Sequence, residues 1–158
     1  MTLHVAAYAD CTITTVELDE EGEPTVPSVI RARVNECYPE RADGIVKGAW
    51  YRHGRHMRFR AGSYHEYSEW RRRLALMAGY RAENAWEGTV PGAPFLGLVD
   101  FADNYGSLGS STCGVLAADF RTWDDVAALG MSSEDLKLYR QFQVAFNLAS
   151  QDGMVVFT

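Results

Sequence analysis

The chain is poor in cysteine and proline and has no long apolar run. It holds three cysteines and five prolines in 158 residues. Cys11, Cys37 and Cys113 are far apart and odd in number, with no CxxC pair. That argues against a disulfide framework or a structural zinc site and points to a reducing compartment. No stretch approaches the ~18 apolar residues of a membrane span. The N-terminus MTLHVAAYADC lacks the basic and apolar regions of a secretory leader. A cytoplasmic location with no membrane partner is therefore expected. The P-loop, the Rossmann glycine fingerprint, HExxH, the EF-hand loop and the GxSxG nucleophile elbow are also missing. No cofactor and no resident metal are implied.

What is present fits an ordinary globular domain: 47% hydrophobic and 23% charged residues. The length suits one domain over residues 1–158, with 1–44 as a variable N-terminal strand layer. The net charge of −6 hides three blocks. Residues 1–46 carry nine acids and three bases, residues 47–81 two acids and nine bases, and residues 82–158 ten acids and three bases. Local charge, rather than the net value, selects partners. The basic middle either pairs with the acidic flanks or stays open to an outside anion, and the sequence leaves both readings standing.

Patterning places strands first. Leu3–Tyr8, Thr12–Leu18 and Ser28–Val34 read as strands. The acidic segment Asp19–Pro27 reads as an exposed loop. Ile45–Arg52 and Arg55–Arg60 read as a hairpin turning at His53-Gly54, with glycine supplying a positive φ. On its second arm Met57 and Phe59 share one face, and His56, Arg58 and Arg60 the other. Helices follow. Ser63 and Glu66 fit a capping box, ahead of a Tyr67, Trp70, Leu74, Met77 stripe that ends at Gly79. Arg81–Pro94 reads as a connector, and Pro94 opens a short helix through Ala102. A helix capped by Ser110 or Ser111, a turn over Asp124–Leu129, a long helix from Ser132 and a strand Met154–Phe157 complete the chain. The order favours an α+β fold: N-terminal antiparallel strands and a β-hairpin packed with about four helices and a short C-terminal strand.

The leading candidate site is the junction from Arg58 through Tyr64. There a cationic strand runs through a glycine into a helix N-terminus, a place receptive to anions. Arg52, Arg58, Arg60, Gly62, Ser63 and Tyr64 are its expected ligand-binding residues. Trp50, Tyr51 and Tyr67 are nearby aromatics for a base. Against this, Ser63 and Glu66 already satisfy the helix end, and Trp50, Tyr67 and Trp70 can be core. A second candidate is Asp100, Asp103 and Asn104, carboxylates able to do acid–base work or hold a divalent cation, or simply to end a helix. His53, His56 and His65 read as surface histidines, and Cys113 as a buried thiol. Arg71, Arg72 and Arg73 read as a solvated helix face. Overall acidity argues against extended nucleic-acid binding.

Three blocks resemble an uncharacterised family of small proteins from bacteria and their phages. They are Phe59–Tyr64 (FRAGSY) with Trp70-Arg71, Leu74-Ala75 and Ala78-Gly79-Tyr80; Leu98–Asn104 (LVDFADN) with Gly106 and Gly109; and Phe142, Ala145-Phe146 and Ala149 with Gly153 and Val155–Phe157. The resemblance covers about residues 45–158 and implies a bacterial or phage cytoplasmic α+β protein without an assigned activity. The expected function is a small, non-enzymatic binding protein for an anionic, nucleotide-like ligand or an acidic protein partner, for example sequestering a defence signal. The alternatives are a metal-assisted hydrolase using Asp100 and Asp103, and an immunity or inhibitor protein acting through its acidic surface.

Overall fold

The computed structural model describes residues 1–101 and 105–158. Along the chain come β1 (Thr2–Tyr8), β2 (Thr12–Thr14), β3 (Val29–Arg31), a 3₁₀ turn (Pro39–Ala42), β4 (Trp50–Arg52) and β5 (His56–Ser63). Then follow α1 (Tyr64–Met77), α2 (Ala82–Trp86), α3 (Leu96–Val99), β6 (Gly106–Gly109), α4 (Ser110–Thr122), α5 (Asp124–Gly130), α6 (Ser133–Ala149) and β7 (Met154–Phe157). The fold is α+β. A four-stranded antiparallel sheet runs in the order β5-β1-β7-β6, and a second sheet runs β2-β4-β3. Among the described residues no helix is long and apolar enough to cross a membrane.

Period-two alternation sorts the large sheet into two faces. Leu3, Val5 and Ala7 of β1, Phe59 and Ala61 of β5, and Val155 and Phe157 of β7 enter one core with the helices. Their neighbours Ala6, Tyr8 and Met154 face the other way, where Ile30 and Tyr51 of the small sheet pack on them. Helix α1 behaves as its local signals require. Glu66 N–H donates to Ser63 Oγ at 3.2 Å, and Ser63 N–H donates to Glu66 Oε2 at 2.7 Å. At the other end Gly79 sits at φ +91°, letting Tyr80 N–H reach Ala75 O at 3.1 Å and Gly79 N–H reach Leu76 O at 3.1 Å.

The structure departs from the sequence reading in several places. A reversal exists at His53-Gly54, but its arms are not partners: β4 pairs with β2 and β3, and β5 pairs with β1. The expected first arm is broken by Gly48 at φ +80°, whereas β1 offers β5 a long register of matching faces. Gly54 is not a positive-φ residue. It lies against Asp10 and donates its N–H to Ala9 O at 2.9 Å. Neither Ser110 nor Ser111 caps α4. Asp43, from the distant 3₁₀ turn, accepts the Thr112 N–H at 2.8 Å instead. The helix expected from Pro94 is shorter, starting only after Phe95. The Arg81–Pro94 connector contains α2.

Candidate functional site

Strand β5 is an edge of the large sheet. It presents Arg58 opposite Ala6 and Arg60 opposite His4, on the face away from the helices. Both guanidiniums are exposed, and among the described residues neither has an ion pair. This is the condition on which an anion-binding reading depends. The rest of the expected site differs. A bulge at Leu3/His4 accompanies Gly62, which sits at φ +105°. A Cβ at Gly62 would meet Glu66 Oε2 at 3.0 Å, so the protein's own carboxylate lies over this corner. The Tyr64 N–H donates to Met1 O at 3.3 Å. The helix N-terminus is therefore closed by internal partners, and an incoming anion there would face Glu66. Tyr64 packs half-buried against the core, and Tyr67 and Trp70 are within it. Arg52 stands exposed on the small sheet, outside the hollows that Arg58 lines.

Glu66 gives this corner a pH signature. The hydrogen bonds from the Ser63 amide, aided by Arg60 and His65 nearby, hold its carboxyl below the ordinary value of 4.5. A lowered folded value means that its stabilisation is complete above the unfolded value and disappears as pH falls through the folded one. Urea midpoints measured from pH 7 to pH 2 should therefore fall less steeply in the acid range for Glu66→Ala than for the native chain. Parallel curves would contradict the assigned role.

Arg58 also reaches a second hollow. The two sheets bound a cleft of about 860 Å³. Arg31, Arg33, Lys47 and Arg58 line it, against one acidic side chain, Glu23, with Thr158 also in the wall. Arg31 Nε donates to Gly48 O at 3.2 Å, and the Arg33 guanidinium lies 5.8 Å from the centre of the Tyr105 ring. Lys47 is paired with Glu36. Among the described residues Arg31 and Arg33 make no ion pair. Trp50 and Tyr105 add aromatic surface to the wall, and Tyr8 and Val156 add the outer face of the large sheet. Three guanidiniums drawn from β3, the segment after it and β5 thus converge on one space. Such planar, permanently charged donors suit phosphate or carboxylate.

The other candidates are used internally. Arg41 grips Asp100 with two hydrogen bonds of 2.8 Å and also donates to Gly97 O at 2.9 Å. Both Asp100 oxygens are thus engaged, while Asp103 and Asn104 lie outside the described residues. Arg71, expected on a solvated face, is 6% exposed. It donates to the carbonyls of Val99 and Phe101 and stacks 4.7 Å from the Tyr67 ring centre. Arg72 lies over Trp86 and pairs with Glu69 and Glu83, and Arg73 pairs with Asp135. The arginine triplet thus fastens α1 to its neighbours. His53 and His56 lie 5.2 Å apart, beside Tyr8. Among the described residues no three histidine, cysteine or acidic side chains gather as a metal site would require. Cys113 is buried and its thiol contacts Leu108 O at 3.4 Å, while burial, helped by Asp10, pushes the Cys11 thiol up to about 11. Neither has the surroundings of a nucleophile.

In comparisons with known proteins, no family model, no curated protein and no solved structure matches this chain.

Proposed function

We propose that this protein binds a small anion of the nucleotide class in the cleft between its two sheets. The observation that carries the reading is the convergence of Arg31, Arg33 and Arg58, without ion pairs among the described residues, on a cleft of about 860 Å³. Ligand pockets for drug-sized molecules occupy roughly 300–1,000 Å³, so the space suits a single nucleotide and not a duplex. The guanidiniums would meet the phosphate charge, and Trp50 or Tyr105 would offer a face to the base. Arg58 joins the cleft to the β5 edge and keeps its role from the sequence reading. Arg60, Gly62, Ser63, Tyr64 and Arg52 do not line the cleft. A role in holding or sequestering a nucleotide within a reducing, cytoplasmic compartment agrees with three unpaired cysteines.

Calorimetric titration with nucleoside mono-, di- and triphosphates and with cyclic nucleotides tests this. At least one should release heat with the native protein. Arg31→Ala/Arg33→Ala should weaken that ligand about 100-fold, since each charge-assisted contact contributes roughly a factor of ten. Arg60→Ala should leave it unchanged. No heat with any anion, or equal binding by the double variant, would end the proposal.

A further inference from the structure

The β5 edge carries an inference that does not rest on the cleft. In an antiparallel ladder, alternate residues turn their N–H and C=O to opposite sides. His4 exchanges bonds with Thr158 on the β7 side, His4 N–H to Thr158 O at 2.8 Å and Thr158 N–H to His4 O at 2.9 Å. The even residues of β1 therefore bond to β7, and Val5 and Ala7 bond to β5. Ala9 N–H donates to Arg55 O at 2.8 Å, in the same phase. By the pairing of Val5 with Phe59 and Ala7 with Met57, the polar backbone of Met57 and Phe59 points into the sheet. That of His56, Arg58 and Arg60 points outward, away from β1. The opposite edge, β6, is covered by the 3₁₀ turn: a Cβ at Gly109 would lie 2.5 Å from Ala42 O. No element covers β5 among the described residues.

Beside this open edge runs a groove of about 730 Å³, floored by Phe59 and Ala61 and walled by Trp70 of α1 and by Leu138 and Gln141 of α6; Glu66, Glu69 and Glu134 also line it, with Lys137 and the Arg73–Asp135 pair. A strand added here would lie about 4.8 Å from β5. Its side chains would alternate, one set over Leu138 and Trp70, the other beside Arg58 and Arg60. A second copy of the chain is a poor occupant. Antiparallel self-pairing centred on Phe59 sets Arg58 against Arg60, and like charges opposed across strands are destabilising. Charged edge residues are a known guard against self-association. On the outer side of an added strand, Arg58 and Arg60, without ion pairs among the described residues, favour carboxylates, whereas Glu66, Glu69 and Glu134 favour uncharged side chains over the groove.

We infer that β5 is a docking edge for an extended acidic peptide of a partner protein, which adds as a fifth strand with its carboxylates beside Arg58 and Arg60. Main-chain hydrogen bonds would give the affinity and the alternating side chains the specificity.

The probe is a synthetic peptide of about nine residues, alternating glutamate and valine, a length within the usual strand range. Amide hydrogen exchange followed by NMR should slow about ten-fold or more at His56, Arg58 and Arg60, with Met57 and Phe59 unchanged. Arg60→Ala, a change at an exposed side chain, should weaken the peptide about ten-fold. Arg31→Ala/Arg33→Ala should not affect it, so failure of the cleft and failure of the edge are separable. The inference is overturned by no slowing at millimolar peptide, by equal binding of a lysine–valine peptide, or by equal binding of a peptide N-methylated on its edge-facing amides. Concentration-dependent slowing without peptide would assign the edge to a second copy and would also overturn it.

Discussion

Gly153→Ala is expected to cost about 3 kcal/mol or more, because the added methyl has no space that side-chain movement could provide. A Cβ at this position would lie 1.8 Å from Tyr8 O, 2.8 Å from Tyr8 C and 2.9 Å from Ala149 O. All three are backbone atoms. Gly153 itself donates to Ala149 O at 2.9 Å, closing α6 just before β7 begins. Next to it, Asp10 N–H reaches Gln151 O at 2.9 Å and Cys11 N–H reaches Asp152 O at 2.8 Å. Relief of the clash must move β7 away from β1, breaking the Tyr8–Met154 end of the ladder. Typical domain stability is about 5–15 kcal/mol, so this one methyl removes a large share. Gly130→Ala is the control. That glycine is in α5, with nothing within 4 Å of a built Cβ, and should be neutral or stabilising by up to about 1 kcal/mol. Urea denaturation of both variants checks the pair, and equal midpoints would refute the packing argument.

Phe142→Ala should cost about 4 kcal/mol, near the top of the range for a single core residue. Phe142 is fully buried in α6 and is the common neighbour of rings from several elements. Its centroid lies 5.0 Å from Phe59 of β5 with planes at 90°, 5.2 Å from Trp70 of α1 and 5.6 Å from Phe146. Phe157 of β7 is 6.4 Å away and Phe120 of α4 is 6.5 Å away. Removing the ring leaves a void bounded by other rings and sheet backbone, which cannot collapse far. Phe142→Leu keeps much of the volume and should cost less than about 1.5 kcal/mol. Denaturation curves and near-ultraviolet dichroism would register the difference. Similar losses for Ala and Leu would show that the ring is not the hub.

Phe142 was legible in the sequence as one of five apolar positions at helical spacing, together with Tyr139, Ala145, Phe146 and Ala149. The same holds for α1, where the Ser63–Glu66 cap, the apolar stripe and Gly79 are all local signals. What stayed hidden was long-range. Asp43 reaches α4 across 69 residues, so the serines beside that helix were the natural guess. Arg71 looked solvated because a helix position gives no hint that the Val99 and Phe101 carbonyls need a donor. The supposed hairpin failed because period-two patterning fixes faces but not which strand pairs with which.

The candidate site shows the same division. Alternation alone placed Arg58 and Arg60 on the face opposite Phe59. It could not show that Glu66, in completing the capping box, also screens Gly62. Arg31 and Arg33 were missed because block charge counted their segment as acidic. A usable signal was present: two arginines flank Ala32, which is 3% exposed, and that alternation sends both side chains to the same side.

The proposed function requires Arg31, Arg33 and Arg58 to receive an outside anion. Its most direct test is a site-resolved NMR titration of the native chain with the nucleotide that gives the largest calorimetric heat. Saturable shifts confined to the guanidinium signals of Arg31, Arg33 and Arg58, the Gly48 amide and the Trp50 indole are expected. Shifts centred instead on Gly62 and Ser63, or none at saturation, would contradict it.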